Sequence, residues 1–143
     1  MSFYITRQIE LDMGHRIPNH ASQCRFLHGH RYRVVATLAG TPKPLDQSSD
    51  SGMVMDYGDL KAIMMACIHK PLDHGFMVYD QDPLAHALRQ LPDQKLIFVP
   101  FIPTAENIAQ YLFGQLKANL PYPEQLVKLT VWETPNCSAS YCR

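Results

Sequence analysis

His28-Gly29-His30-Arg31-Tyr32-Arg33-Val34-Val35-Ala36-Thr37-Leu38 holds one pattern along its length. Tyr32, Val34, Ala36 and Leu38 share one parity, and Arg31, Arg33 and Thr37 take the other. Successive side chains of a strand point to opposite faces, so residues 29–39 read as a half-buried β-strand. His28 and His30 have the parity of the apolar set and belong to its inner face. Residues 3–14 alternate in the same way, with Ile5, Ile9, Leu11 and Met13 on one side, and His15 continues that parity at the far end. If the two strands pair through the loop at 15–27, three imidazoles converge on one partly dry site. Three neutral nitrogens suit a borderline cation such as Zn²⁺, and an open fourth position is the mark of a catalytic site. The competing reading is three unrelated surface or core histidines. His20, His69 and His86 lack matching parity and read as surface groups.

Outward from these strands, Gly40 to Gly52 is rich in Pro and Ser and reads as a turn-rich connection. Asp56 is placed to cap a helix whose stripe is Leu60, Ile63, Met64, Cys67 and Ile68, ending before Pro71. A short helix is predicted near Pro83–Leu91 and a strand over Lys95–Pro100. Thr104 caps a further helix with Glu106 in its first turn and Ile108, Leu112 and Leu116 on one stripe. Val127, Leu129 and Val131 alternate as another strand, and the tail from Asn136 either pairs or frays. Two strands, helices, then strands predict an α+β domain with a mainly antiparallel sheet.

Composition narrows the function classes. The 143 residues carry 13 Lys plus Arg against 13 Asp plus Glu, a formal charge of zero. Nucleic-acid and anionic-membrane binders need a basic excess, so neither partner is expected. No apolar run approaches the ~20 residues of a membrane span. The start, Met1–Glu10, alternates without the apolar core of a signal peptide, which predicts a cytoplasmic protein. One domain, residues 1–143, is expected for this length. Cys24, Cys67, Cys137 and Cys142 form no CxxC pair and read as reduced thiols.

Three further groups stand out. Cys24 precedes His28 by four residues, and a thiol so near a metal can be a nucleophile or base, a fourth and structural ligand, or a small buried hydrophobe. Asp73-His74 sets a carboxylate beside an imidazole, where it can fix the tautomer. Glu133 has the parity of Val127, Leu129 and Val131, which puts a carboxylate on an apolar face. It needs a partner there, either a cationic side chain or a ligand presenting two N–H groups.

The runs Met13-Gly14-His15-Arg16-Ile17 and Cys24-Arg25-Phe26-Leu27-His28-Gly29-His30 together resemble the 6-pyruvoyltetrahydropterin synthase family. The three-residue gap between Cys24 and His28 is similar to its 6-carboxytetrahydropterin synthase branch, of queuosine and 7-deazaguanine biosynthesis. Gly52-Met53-Val54-Met55-Asp56-Tyr57, Leu72-Asp73-His74, Pro103-Thr104-Ala105-Glu106-Asn107 and Val131-Trp132-Glu133-Thr134 extend the likeness along the chain. The resemblance implies the tunnelling fold, with a four-stranded antiparallel sheet and helices on one face. It also implies a homo-oligomer, commonly a hexamer, with active sites between subunits. His15, His28 and His30 would be zinc ligands, and Cys24, Asp73 and His74 the catalytic triad. Glu133, Thr104 and Glu106 would bind the pterin of 7,8-dihydroneopterin triphosphate. The products would be 6-carboxy-5,6,7,8-tetrahydropterin, acetaldehyde and triphosphate, or, for a 6-pyruvoyltetrahydropterin synthase, the product of triphosphate loss alone. A pterin-binding member without catalysis is a third possibility. Arg16, Arg25 and Lys70 are candidate triphosphate anchors by proximity. The chain departs from the family at Gly14, where alanine is common, at Gly75-Phe76-Met77-Val78, and around Pro83–Pro92.

Overall fold

β1 (Phe3–His15) and β2 (His28–Gly40) pair antiparallel over their full lengths, from Phe3 opposite Gly40 to His15 opposite His28. The computed structural model describes residues 2–143; Met1, at the head of the opening alternation, lies outside the described residues. Apolar patterning pins this register. A slip of one residue on either strand would turn Ile9, Leu11 and Met13, or Tyr32, Val34 and Ala36, out to solvent.

The sheet has six strands in the order β4-β3-β1-β2-β5-β6 and is mixed, which corrects the expected four-stranded antiparallel sheet. β5 (Leu126–Thr134) runs antiparallel to β2, and β6 (Cys137–Cys142) antiparallel to β5, so the tail pairs. On the other side β3 (Gly75–Tyr79) lies parallel to β1, and β4 (Leu96–Val99) parallel to β3. β3 shows no alternation because both its faces are covered; Met77 and Val78 are adjacent and both buried.

α1 (Tyr57–Met64) starts as expected, with the Asp56 carboxylate accepting from the amides of Gly58 at 2.7 Å and Asp59 at 3.1 Å. It does not stop before Pro71. A π turn, Met65–His69, widens the helix so that the amide of Lys70 reaches the carbonyl of Met65. Pro71 then falls at the start of α2 (Lys70–Leu72), where its missing N–H removes little. α3 spans Ala85–Arg89, and α4 (Ala105–Asn119) is capped by the Thr104 hydroxyl, which accepts from the Asn107 amide at 3.3 Å. No helix among the described residues is long and apolar enough to cross a membrane.

The main core lies between the inner sheet face and the helices. Leu11, Tyr32, Val34, Leu38, Leu129 and Val131 pack under Leu60, Met64 and Ile68 and under Ile108, Leu112 and Leu116 of α4. Helices are not confined to that face. Phe76, Val78, Leu96 and Phe98 turn the opposite way and join Leu84, Ala85 and Leu88 in a second cluster around α3. In β5 Leu129 and Val131 are buried as expected, but Leu126 takes the place expected for Val127. Leu38 pairs with Leu126 and Thr37 with Lys128, so Val127 is the extra residue of a β-bulge, which resets the parity.

Two departures from the family pattern meet in this sheet. Gly14 lies beside Phe76 in the β1–β3 register, and a Cβ on Gly14 would stand 2.4 Å from Phe76 Cδ2 and 3.2 Å from the His28 carbonyl. The aromatic ring occupies the space an alanine would need. Gly14→Ala is expected to cost about 1–3 kcal/mol in urea unfolding by overpacking. The same substitution made together with Phe76→Leu should cost measurably less, and equal costs in both backgrounds would contradict the contact.

Candidate functional site

The β1–β2 register brings His15, His28 and His30 together at the end of the sheet. Their ring centroids lie 4.7 Å (His15–His28), 5.0 Å (His28–His30) and 5.1 Å (His15–His30) apart. One ligand nitrogen from each falls within 4.8 Å of the others. The tautomers of two rings follow from their backbone partners. His15 Nδ1–H donates to the Pro103 carbonyl at 2.7 Å, and His28 Nδ1–H to the Phe26 carbonyl at 2.7 Å. Each of these rings therefore presents a bare Nε2 lone pair.

Electrostatics at the site point the same way. His15 is 1% exposed, and burial lowers the pKa of both His15 and His30, outweighing the opposing pull of the Glu133 carboxylate. The rings are thus neutral donors, and the Nε2 atoms of His15 and His30 are buried with no hydrogen-bond partner. Glu133 holds its oxygens 3.9 Å from His15 Nε2 and 3.5 Å from His30 Nε2, too far to satisfy either. Three imidazole nitrogens beside a carboxylate, two of them buried without a partner, form a donor set that fits a divalent cation. Tyr32 closes the floor, with its ring edge-on to His15 at 5.9 Å and to His30 at 5.6 Å.

Glu133 reaches this place by continuing the inward alternation of Leu129 and Val131 along β5. Against β6, Trp132 pairs with Ser138 and Thr134 with Cys137, which leaves Glu133 as the extra residue between them. A cavity of about 270 Å³ is lined by His15, Cys24, Thr104, Glu106 and Glu133. Cys24 also lines a neighbouring cleft with His28 and His30. Thr104 uses its oxygen to cap α4 and keeps its own hydroxyl proton available.

Asp73 and His74 are not in either cavity. His74 is in the left-handed region (φ 62°), a conformation held by its amide donating to the Asp12 carbonyl at 2.7 Å. Its Nδ1–H donates to Asp73 Oδ2 at 2.6 Å, while Asp73 Oδ1 accepts from the Asp12 amide at 2.9 Å. These bonds hold the Asp73 carboxyl below its usual range, against a burial effect that would raise it. The His74 side chain is 76% exposed, in a cavity lined also by Asp12, Met13, Gly14, Gly29, His30 and Arg31, of which Asp12, Gly14, Gly29 and Arg31 have the outward parity of β1 and β2. One chain therefore presents the thiol and the Asp–His pair on opposite faces of the same two strands.

Other placements differ from the sequence reading. His20, read as a surface group, is exposed but lines the Cys24 cavity, as does Cys137. Only their neighbours in sequence, His15 and Glu133, pointed there. His69 Nε2 stands 3.8 Å from Asp73 Oδ2. Arg16 is not a free anchor, since its guanidinium is committed to Asp82 and to the Arg25 carbonyl. Arg25 itself donates to the carbonyls of Ala21 and Ser22.

Residues 4–143 match the family described as 6-pyruvoyl tetrahydropterin synthase. The chain is 34% identical to the 6-carboxy-5,6,7,8-tetrahydropterin synthase of Rickettsia conorii, over 92% of this chain and 94% of that one. It is 35% identical to the enzyme of the same name from Haemophilus influenzae, over 97% and 98%. Human 6-pyruvoyl tetrahydrobiopterin synthase is 35% identical over 76% of this chain and 61% of its own length. Among solved structures, Caenorhabditis elegans 6-pyruvoyl tetrahydropterin synthase superposes with a TM-score of 0.70 at 26% identity, covering 100% of this chain and 96% of that one.

The histidine geometry makes a direct prediction. The purified protein is expected to retain one equivalent of zinc after dialysis, and His28→Ala to weaken retention more than about 100-fold with the circular dichroism of the sheet unchanged. Elemental analysis against a competing chelator reads this, and equal retention by both proteins would count against the site.

Proposed function

The chain belongs to the 6-pyruvoyl tetrahydropterin synthase family, and from that membership we propose that it is a zinc-dependent 6-carboxy-5,6,7,8-tetrahydropterin synthase. In this reading it is a carbon–carbon lyase of queuosine and 7-deazaguanine biosynthesis acting in the cytoplasm. The observation that carries the reading is the pair of buried, unpartnered Nε2 atoms on His15 and His30 next to Cys24 and Glu133. The names of the bacterial relatives, matched over nearly the whole chain, favour the 6-carboxy product over the 6-pyruvoyl one.

Zinc held by His15, His28 and His30 would supply Lewis acidity that acidifies the hydroxyls of the substrate side chain. The chain's own groups do the rest. Glu133 accepts from the 2-amino group and the ring N–H of the pterin, which gives its carboxylate the partner its burial requires. Thr104 and Glu106 line the same cavity and orient the ring. Cys24, as thiolate, takes a side-chain proton, and His74 is its proton partner. Asp73 fixes the His74 ring through the Nδ1 hydrogen bond. Overall, one water is consumed, triphosphate leaves with its ester oxygen, and the bond between the first and second side-chain carbons breaks. The C=N bond of the dihydropterin ring takes up the two electrons lost by the first side-chain carbon, with two protons, and so becomes the tetrahydro ring. The first carbon stays on the pterin as carboxylate, and the other two depart as acetaldehyde.

Because Cys24 and His74 lie on opposite faces in one chain, the triad closes where a second copy brings its Asp73–His74 to this Cys24. A homo-oligomer, a hexamer in our reading, would provide that arrangement.

Incubation of the zinc-loaded protein with 7,8-dihydroneopterin triphosphate is expected to yield acetaldehyde and the 6-carboxy pterin in equal amounts. A pterin retaining all three side-chain carbons would assign the 6-pyruvoyl activity instead, and binding without either product would reject catalysis. Cys24→Ala should lower turnover by about 10²–10⁴-fold while pterin affinity persists. Mixing Cys24→Ala with His74→Ala chains after reversible dissociation should recover turnover that neither has alone, and no recovery would place the triad within one chain.

A further inference from the structure

The loop from Arg16 to Leu27 carries Cys24 and is held at its neck by its own first residues. The Ile17 amide donates to the Cys24 carbonyl at 2.8 Å, and Arg16 Nη1 to the Arg25 carbonyl at 2.9 Å. Between them these bonds fix the two peptide units that follow Cys24, one on each side of Arg25. The other side of the same guanidinium is held from outside the loop. Arg16 Nε donates to Asp82 Oδ2 at 2.7 Å, and the Asp82 side chain is fully buried. Asp82 is itself immobilised, since its Oδ1 accepts from the Leu84 amide at 2.8 Å and its backbone bonds to Tyr79 and Ala85. It belongs to the segment between β3 and α3, whose Leu84 packs on the outer cluster beside Ala85 and Leu88 of α3.

We infer that Asp82 is a positioning residue for Cys24: through Arg16 it ties the carbonyl of Arg25 to the β3–α3 segment and so sets where the thiol stands relative to the histidines. The inference rests on the reading of Cys24 as the reacting thiol. The chemistry suits the task. A guanidinium is a planar fork that can donate in two directions at once, whereas an ammonium is a point donor on a flexible stem. The pair is also directional in its consequences, because Arg16 is largely covered and loses its counter-charge if Asp82 is removed. His15 immediately precedes Arg16, so a ligand of the histidine site and the thiol loop share one rigid junction. Asp82, immediately before Pro83, thereby supplies the abutment against which the loop is braced.

The test uses Asp82→Asn, which keeps the shape and the Leu84 bond but removes the charge, and Arg16→Lys, which keeps the charge but cannot bridge both partners. Two readouts are taken on zinc-loaded protein. In the first, kcat should fall about tenfold or more with KM within about twofold, since a misplaced reacting group slows the chemical step more than binding. In the second, iodoacetamide labelling of Cys24, followed by peptide mass spectrometry, should accelerate at least threefold relative to Cys137 in the same cavity. That ratio is independent of turnover and of general loosening. If the wild type makes no acetaldehyde but the ratio shifts in both variants, the brace stands and the lyase reading falls. If the wild type turns over while either folded variant keeps its kcat and labelling ratio, the brace is rejected. Should Asp82→Asn fail to fold, Arg16→Lys decides by the same two measurements.

Discussion

The pairing of β1 with β2 is the constraint on which the site depends. Two strands in strict antiparallel register put His15 directly opposite His28 and Met13 opposite His30. Three imidazoles from two separate segments then share one corner of the sheet. The hydrophobic effect enforces this at a distance. The same parity that turns the histidines inward turns Ile9, Leu11, Tyr32, Val34 and Leu38 into the core, each fully buried side chain contributing roughly 1.5–3 kcal/mol. Shifting either strand by one position would exchange the core for its polar face and scatter the nitrogens at the same stroke. The geometry of the three imidazoles is maintained by the fold's largest stabilising force.

Polarity is settled by smaller contacts laid over that frame. The carbonyls of Pro103 and Phe26 each take an Nδ1 proton and leave the inward nitrogen bare. Burial keeps His15 and His30 neutral even with Glu133 close by. Pro103 also precedes the Thr104 cap, so the start of α4 is tied to His15 and a wall of the cavity is fixed with respect to its floor.

What could be read in the sequence followed from periodicity, and what could not followed from its failure. The inner face of β1 and β2, the caps at Asp56 and Thr104 and the stripe of α4 all obey simple repeats, and the convergence of His15, His28 and His30 follows from parity alone. Six strands were not legible, because β3 is covered on both sides and loses alternation, while β6 is largely exposed and presents no apolar pattern. Val127 misled because it is the extra residue of a bulge and the count resumes after it; Glu133 kept the inward direction of Leu129 and Val131. The stop expected at Pro71 was absorbed by a π turn. Asp73 and His74 were recognisable as a pair, but their side of the sheet depends on a left-handed backbone angle at His74 and on a bond to Asp12 from distant sequence. Asp82 gave no signal at all, since a buried ion pair between residues 66 apart leaves no local trace.

Gly14 and Phe76 bear on the history of the chain. A methyl on the first and a ring on the second claim one volume, so bulk at either position excludes bulk at the other across the β1–β3 pair. Neither change is freely reversible while the other stands. A lineage that had filled the niche with an aromatic would be held at glycine on the neighbouring strand, one residue before His15, and the order of its substitutions would be dictated by space before any selection on chemistry.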